Sequence, residues 1–419
     1  YKSLFKNKPN GFIRMNEIEI KEGMMRLWKE TFHDSEEYVR LVFDAFFNIE
    51  MVEYEEIDGN IVAALLAVPY YFGNSSHQLK GLYLCGLSTD PAYRKHGIMG
   101  GLIERLASRM KNSGHSFMFL IPADEELQRY YRDRRFVNAF YRSVERFTSS
   151  HDFALENLHV LNKEDSRIKN IKQRYCERLI CRRISSDEEL PLSEARLLTD
   201  YIRKRENYRP DSCRHLGILH TTCELMTAIK ECFVSGGRIY YCINSDDKVT
   251  GVGFVYAGND EVTVYCLHVS DRCSYYRLLG EIKNDYPDLG LKLYSYPIRN
   301  IIGIDNKYSP ARNYEVYGMA RILNLYEILK FQAEERHDLK YSILVKNEEN
   351  NILTRFVAEN GSLVSSELKT DTVSQNQILE AMDDREVASI LFRRPDSDHI
   401  VEEVLEIPPL GGSINLMLD

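Results

Sequence analysis

The run Leu87-Ser88-Thr89-Asp90-Pro91-Ala92-Tyr93-Arg94-Lys95-His96-Gly97-Ile98-Met99-Gly100-Gly101 joins an apolar strand to an amphipathic helix and has the make-up of a phosphate cradle. Glycines at 97, 100 and 101 permit close approach to the backbone. The unpaired N–H groups of a helix's first turn, at the positive end of its dipole, suit a pyrophosphate. Arg94 and Lys95 add charge, and His96 lies among them as an assisting group or a solvated surface histidine. Pro91 keeps the preceding segment extended, so the change from strand to helix falls where phosphates would sit. Glycine spacing alone is also compatible with a plain connecting turn.

A second chemical candidate lies downstream in Leu127-Gln128-Arg129-Tyr130-Tyr131-Arg132-Asp133-Arg134-Arg135-Phe136. A phenol of pKa about 10 can give a proton to a departing anion without being charged beforehand. Tyr131 suits that role and Tyr130 is the neighbouring alternative; either could instead be one of 27 tyrosines packing a helix on a sheet. An attacking amine of lysine-like pKa, about 10.4, costs on the order of 4–5 kcal/mol to deprotonate at neutral pH, so a base or an anionic pocket would assist. The charged run Arg132 to Arg135 reads as a solvated helix end or as a contact to phosphates.

The first segment resembles motif A of the GNAT superfamily of N-acetyltransferases, Arg/Gln-x-x-Gly-x-Gly/Ala, here Arg94, Gly97 and then Met99. Met99 departs from the final small residue in the manner of the enhanced-intracellular-survival (Eis) branch. The second resembles the GNAT pattern Tyr-x-x-x-Gly-Phe, with Tyr131 and Phe136 in place and Arg135 where the glycine is expected. The resemblance implies acetyl-CoA as cosubstrate, with Leu87, Ser88, Thr89, Arg94, Lys95, His96, Gly97, Ile98, Met99 and Gly100 binding it. Leu87 and Thr89 would meet the pantetheine arm and Lys95 to Gly100 the pyrophosphate. It implies Tyr131 as catalytic acid and, if Asp419 is the native terminus, the Asp419 carboxylate reaching the active site. The alternative for that tail is a core-packed or disordered end. It further implies a cytoplasmic homo-oligomer, commonly hexameric, that acetylates polyamine-, aminoglycoside- or lysine-like amines.

The elements around these motifs follow from periodicity. Lys21 to Phe32 and Ser35 to Phe47 read as helices, and Met51 to Ile57 with Ile61 to Tyr71 as a hairpin turned by Asp58-Gly59. Then come a strand Leu82 to Ser88, a helix Gly97 to Lys111, a strand Ser116 to Ile121, a helix Glu125 to Asp133 and a strand Phe140 to Phe147. A polar stretch from Ser150 to Arg174 marks a boundary. Beyond it, helices Leu192 to Arg205 and Thr222 to Phe233 and strands Arg238 to Ile243, Val249 to Ala257, Glu261 to Val269 and Leu291 to Tyr296 repeat a similar order without a phosphate loop. The last segment, from about Leu323, holds a helix Leu325 to Glu334, strands Leu339 to Lys346 and Ile352 to Glu359, and a helix Ser374 to Met382, and by the resemblance Met319 to Asn324 is the strand leading into it. These elements make an α+β chain, and the Eis resemblance implies its architecture: two tandem GNAT-like domains, 1–150 and a degenerate 151–322, followed by a sterol-carrier-protein-like α/β domain, 323–419.

Composition narrows the partners. A formal charge of −9 argues against nucleic acid and suits cationic substrates. No apolar run approaches a membrane span, and Tyr1 to Arg14 lacks a signal-peptide core. Nine cysteines, an odd count in mostly apolar runs, point to a reduced chain. Cys213, His215, His220 and Cys223 lack the paired short knuckle of ordinary zinc sites, so no metal is expected, and Cys85 reads as a core residue. The competing reading is a non-catalytic acyl-CoA sensor, or a lipid or partner carrier built on the third domain.

Overall fold

The computed structural model describes residues 15–74, 76–153, 178–207, 216–295, 313–347, 352–368, 381–393, 410 and 412–413. The chain packs as two units, Tyr1–Phe72 with Ser76–Ala139 and Gly318–Pro409, and Gly73–Ser75 with Phe140–Tyr317 and Leu410–Asp419.

In the first unit, helix α1 (Glu17–Phe32) begins at a reciprocal capping box between Asn16 and Glu19. Its three-and-four spacing turns Ile20, Met24, Leu27 and Trp28 inward. Helix α2 (Glu36–Phe46), capped by Ser35, supplies Val39, Val42 and Phe43. Trp28 is fixed between them: its ring meets Phe43 edge-on at 5.7 Å, and its Nε1 donates to Asp34 at 2.7 Å. Strands β1 (Val52–Ile57) and β2 (Asn60–Gly73) form the expected hairpin, with Asp58 and Gly59 both at positive φ. Strand β3 (Gln78–Thr89) pairs with β2 and runs parallel to β4 (Phe117–Leu120), the crossover being α3 (Ile98–Asn112). Arg105 and Arg109 of α3 reach Glu53 on β1 at 3.1 and 2.8 Å. Beneath them Leu102, Ile103 and Leu106 pack on Ala63, Leu65, Leu82 and Leu84. Helix α4 (Glu125–Arg132), capped by Asp124, leads into β5 (Val137–Phe147).

The second unit repeats the plan. Strand β6 (Ile180–Ile184) and helix α5 (Leu192–Asn207) precede β7 (Leu216–Leu219) and α6 (Thr222–Val234), whose Thr221–Glu224 capping box sets its start. Strands β8 (Arg238–Ile243), β9 (Val249–Ala257) and β10 (Glu261–Val269) form a meander, and α7 (Arg272–Asp285) crosses to β11 (Gly290–Ser295), parallel to β10. Here too an antiparallel pair is followed by a parallel pair bridged by one helix. The connection differs. Asp271 caps α7 by accepting the Ser274 N–H at 2.9 Å, so this helix end is filled by the chain's own carboxylate. Cys273 is disulfide-bonded, a departure from the fully reduced chain expected, because the geometry that folding provides, and not the parity of the count, decides which thiols meet.

The rest of the first unit begins in β12 (Asn313–Ile322), whose Met319–Ile322 lies antiparallel to β4, giving the order β1-β2-β3-β4-β12. Helix α8 (Leu325–Glu335) precedes a separate sheet ordered β15-β14-β13-β16, made of β13 (Lys340–Lys346), β14 (Leu353–Glu359), β15 (Ser362–Leu368) and β16 (Met382–Asp383). The segment expected as a third domain therefore has its own sheet, yet it packs on the first: Phe392 meets Phe117 at 6.0 Å and Glu335 accepts from His77 at 2.7 Å. The expected helix Ser374 to Met382 falls largely outside the described residues, and Met382 is in a strand. The helix there is α9 (Asp384–Leu391), started by an Asp383–Glu386 capping box and buried through Val387, Ala388 and Leu391. Strand β17 (Gly412–Ser413) pairs with β5 and β7 in the second unit.

Candidate active site

The Leu87 to Gly101 run connects β3 to α3 through a short 3₁₀ turn, Pro91–Tyr93, capped by the Asp90 carboxylate on the Ala92 N–H at 2.8 Å. Arg94 folds back so that its Nε donates to the Thr89 carbonyl at 2.9 Å. Lys95 and Gly97 take left-handed φ values of 64° and 77°, which swing the chain into the helix. Gly97 occupies the N-cap without a side chain to fill it, and no acidic residue stands in the first turn. The first intrahelical bond runs from the Gly101 N–H to the Gly97 carbonyl at 3.0 Å, leaving the N–H groups of Ile98, Met99 and Gly100 directed out of the helix end. Ile98 and Met99 bury their side chains in the core, so they offer a ligand only backbone. Lys95 and His96 are exposed at the rim.

Strand β4 ends at Leu120, while β3 runs on toward this helix end. Their ladder covers Gly81–Tyr83 against Phe117–Phe119, and β3 then continues from Leu84 to Thr89. Gly86 lies in that continuation with φ of 59°, a conformation that bends the strand. A Cβ there would stand 2.1 Å from Cζ3 of Trp28. Beyond the end of β4, an extended arm lying like an added strand on this edge of β3 can reach backbone groups.

Tyr131 closes the same region. Its ring is buried in the cluster that contains Ile98, Met99 and Leu102, with Leu87 and Tyr93 packed against it. It meets Tyr130 at 5.2 Å and Phe136 at 5.7 Å, both edge-on. Among the described residues none hydrogen-bonds its hydroxyl, and burial raises the phenol well above its ordinary range, so the proton stays on oxygen at any working pH. Tyr130 is also raised by burial, but the Arg134 guanidinium lies over its ring at 3.4 Å. Arg135 holds φ at 70°, the left-handed conformation in which the pattern expects glycine.

Arg134 is the residue that sequence reasoning left undecided. A Cβ on Gly100 would lie 3.2 Å from its Nε, and that Nε is buried with no hydrogen-bond partner among the described residues. A guanidinium with a spare N–H against the uncapped start of α3 suits a phosphate oxygen. The Arg321 guanidinium fastens the surroundings, donating to both Glu104 oxygens at 2.6 and 2.8 Å and to the Arg134 carbonyl at 3.3 Å. Hydrogen bonding from Arg321 holds the Glu104 carboxyl below the usual range.

The remaining candidates separate. Burial pushes the Cys85 thiol up to about 12, which suits a core residue and not a nucleophile. His220 binds Glu206 at 2.6 Å, Cys223 is exposed, and Cys213 and His215 lie outside the described residues; among the described residues no group of three ligands could hold a metal. Asp419 also lies outside them.

Residues 13–134 match the acetyltransferase (GNAT) domain family. The chain is an acyltransferase, and acetyl-CoA is its acyl donor. No curated protein matches it. Among solved structures, a GCN5-related N-acetyltransferase from Kribbella flavida is 12% identical with a TM-score of 0.64, the match covering 97% of each chain. One from Anabaena variabilis is 11% identical with a TM-score of 0.62, over 90% of this chain and 88% of the other. Eis1 from Mycobacterium abscessus is 10% identical with a TM-score of 0.59, over 90% and 88%. These likenesses extend the shared fold across nearly the whole acyltransferase. None of its described helices is long and apolar enough to cross a membrane.

Proposed function

We propose that this enzyme is an Eis-type N-acetyltransferase that moves the acetyl group of acetyl-CoA directly to an amine of a small cationic acceptor, of polyamine, aminoglycoside or lysine type. The observation that carries the reading is the contrast between two equivalent helix ends. In the first unit α3 starts at Gly97 with free N–H groups beside Arg134; in the second α7 starts at Asp271, whose carboxylate takes the donors and repels phosphate. That contrast supports a single coenzyme site and a degenerate second GNAT-like domain.

In this reading the domains are 1–150, 151–322 and a sterol-carrier-protein-like 323–419. Leu87, Ser88 and Thr89 offer the free edge of β3 to the pantetheine arm. Arg94, Lys95, His96 and the backbone of Gly97 to Gly100 hold the pyrophosphate. The amine nitrogen attacks the thioester carbonyl, the C–S bond breaks as Tyr131 gives its phenolic proton to the departing sulfur, and the proton that the nitrogen sheds on becoming an amide returns the phenolate to phenol. Deprotonating the amine costs on the order of 4–5 kcal/mol near neutral pH, and a carboxylate such as that of Asp419 would serve there as the base that takes the proton.

Coenzyme A release measured over a panel of amines tests the proposal, with Tyr131→Phe as control. We expect turnover with at least one cationic amine and a loss of 10²- to 10⁴-fold in kcat for the variant, with coenzyme A affinity retained. Tight coenzyme A binding without turnover on any amine would favour a sensor or carrier.

A further inference from the structure

The second unit holds a pair of sulfurs that the acetyl-transfer reading does not use. Cys181 on β6 and Cys242 on β8 are direct partners in the antiparallel register. Opposed residues in such a ladder have Cα atoms about 4.5–5.5 Å apart, inside the span a disulfide needs. Their sulfurs lie 2.7 Å apart, which is within van der Waals contact. Cys181 is partly exposed, whereas Cys242 is fully buried. One sulfur can therefore meet a small oxidant while the other waits behind it.

The surroundings make the two unequal. The Cys181 thiol is held low, first by hydrogen bonding with Cys242 and then, against its burial, by the charge of Arg277 on α7, with Glu281 opposing. Cys242 is held high by its neighbour and by burial. Arg277 keeps a buried Nε without a hydrogen-bond partner among the described residues.

We propose that Cys181 and Cys242 form a peroxide-reactive dithiol that closes to a reversible disulfide between β6 and β8. The Cys181 thiolate attacks one oxygen of hydrogen peroxide; the O–O bond breaks, and hydroxide leaves and is protonated to water. Cys181 is now a sulfenic acid. The Cys242 thiol gives up its proton as its sulfur attacks Cys181, and the hydroxyl departs as a second water. Two thiols and one peroxide yield one disulfide and two waters. The site is independent of the coenzyme loop, which lies in the other unit.

The test treats the full chain with limiting hydrogen peroxide, alkylates remaining thiols and maps peptides by mass without reduction. Exposed Cys223 serves as the internal reference. We expect a Cys181–Cys242 linked peptide that dithiothreitol reverses, formed about tenfold faster than Cys223 is oxidised. In Cys242→Ala, or Cys242→Ser should the alanine variant misfold, a dimedone adduct should accumulate on Cys181. The proposal is overturned if the wild-type chain gives no such linked peptide while Cys223 oxidises, or if Cys181 in a folded Cys242 variant resists dimedone.

Discussion

Gly86 is the position where one added carbon tests the geometry of the candidate coenzyme site. In Gly86→Ala the new Cβ would sit 2.1 and 2.3 Å from Cζ3 and Cε3 of Trp28, too close for any real contact. The indole cannot swing away cheaply, because its Nε1 is bonded to Asp34 at 2.7 Å and its faces are packed by Phe32 and Phe43 at 5.6 and 5.7 Å. Placing alanine at φ of 59° costs about 1–2 kcal/mol, and displacing a packed ring costs about 1–3 kcal/mol more, for a total of roughly 2–5 kcal/mol. Gly59 supplies the control. It has φ of 76° and nothing within 4 Å of its Cβ, so Gly59→Ala incurs only the backbone cost, about 1–2 kcal/mol. Trp28 is the chain's only tryptophan, and its fluorescence in a urea titration reports this site directly. The Gly86 variant should lose at least about 1 kcal/mol more than the Gly59 variant, shift the emission of the folded state and weaken coenzyme A binding measured by calorimetry. Equal losses in the two variants, with native-like emission, would refute the claim that Trp28 and the bend in β3 define each other.

Two further outcomes follow from single residues. Arg135→Gly should raise stability by at most about 1 kcal/mol in urea unfolding, because it relieves a left-handed φ while giving up the arginine's contacts, an ion pair with Asp384 at 3.9 Å and the attraction of Glu104 among them; a net loss would show that those contacts outweigh its backbone strain. Burial pushes His268 down to about 4, so between pH 6.5 and 4 the unfolded chain takes up a proton that the folded chain refuses, and stability falls by up to about 3 kcal/mol. His220, raised by Glu206, acts in the opposite sense and contributes stability below about 6.5. Unfolding free energies at pH 7.5 and 4.5 should therefore differ less in His268→Gln than in the wild type, and an unchanged difference would remove His268 from the acid response.

The parts of the fold that are legible in the sequence are those whose burial is one-sided. Helices α1 and α2, the β1–β2 hairpin and α3 each bury one stripe or follow a turn with a fixed residue signature, and their expected bounds hold to within a few residues. Helix α7 carries no such stripe: Cys273, Ser274, Tyr275, Tyr276, Leu278, Leu279, Ile282 and Lys283 are all buried, so its pattern averages out around the axis. Strand β7 has only Leu216–Leu219 to announce it. Strand β15 is mostly exposed and serine-bearing, and it exists because β14 offers it a partner from Leu353 to Glu359.

The candidate site is legible for a different reason, and the two departures from its motifs show what a glycine pattern encodes. At 97 the backbone demands glycine's φ; at 100 it needs the space that the Arg134 guanidinium occupies. At 99 it demands neither, since Met99 turns into the core and offers only its N–H outward, so a large side chain is tolerated there. At 135 the φ of 70° is kept although the residue is arginine, which means the turn after Tyr131 is imposed by the packing of Phe136 and by the Phe136 N–H on the Tyr131 carbonyl at 3.1 Å. Residue type was therefore an imperfect proxy for two separate physical requirements, conformation and room. Gly86 satisfies both at once, yet it reads as an isolated glycine in an apolar strand, because the partner that makes it necessary, Trp28, is remote in sequence and arrives only with the fold.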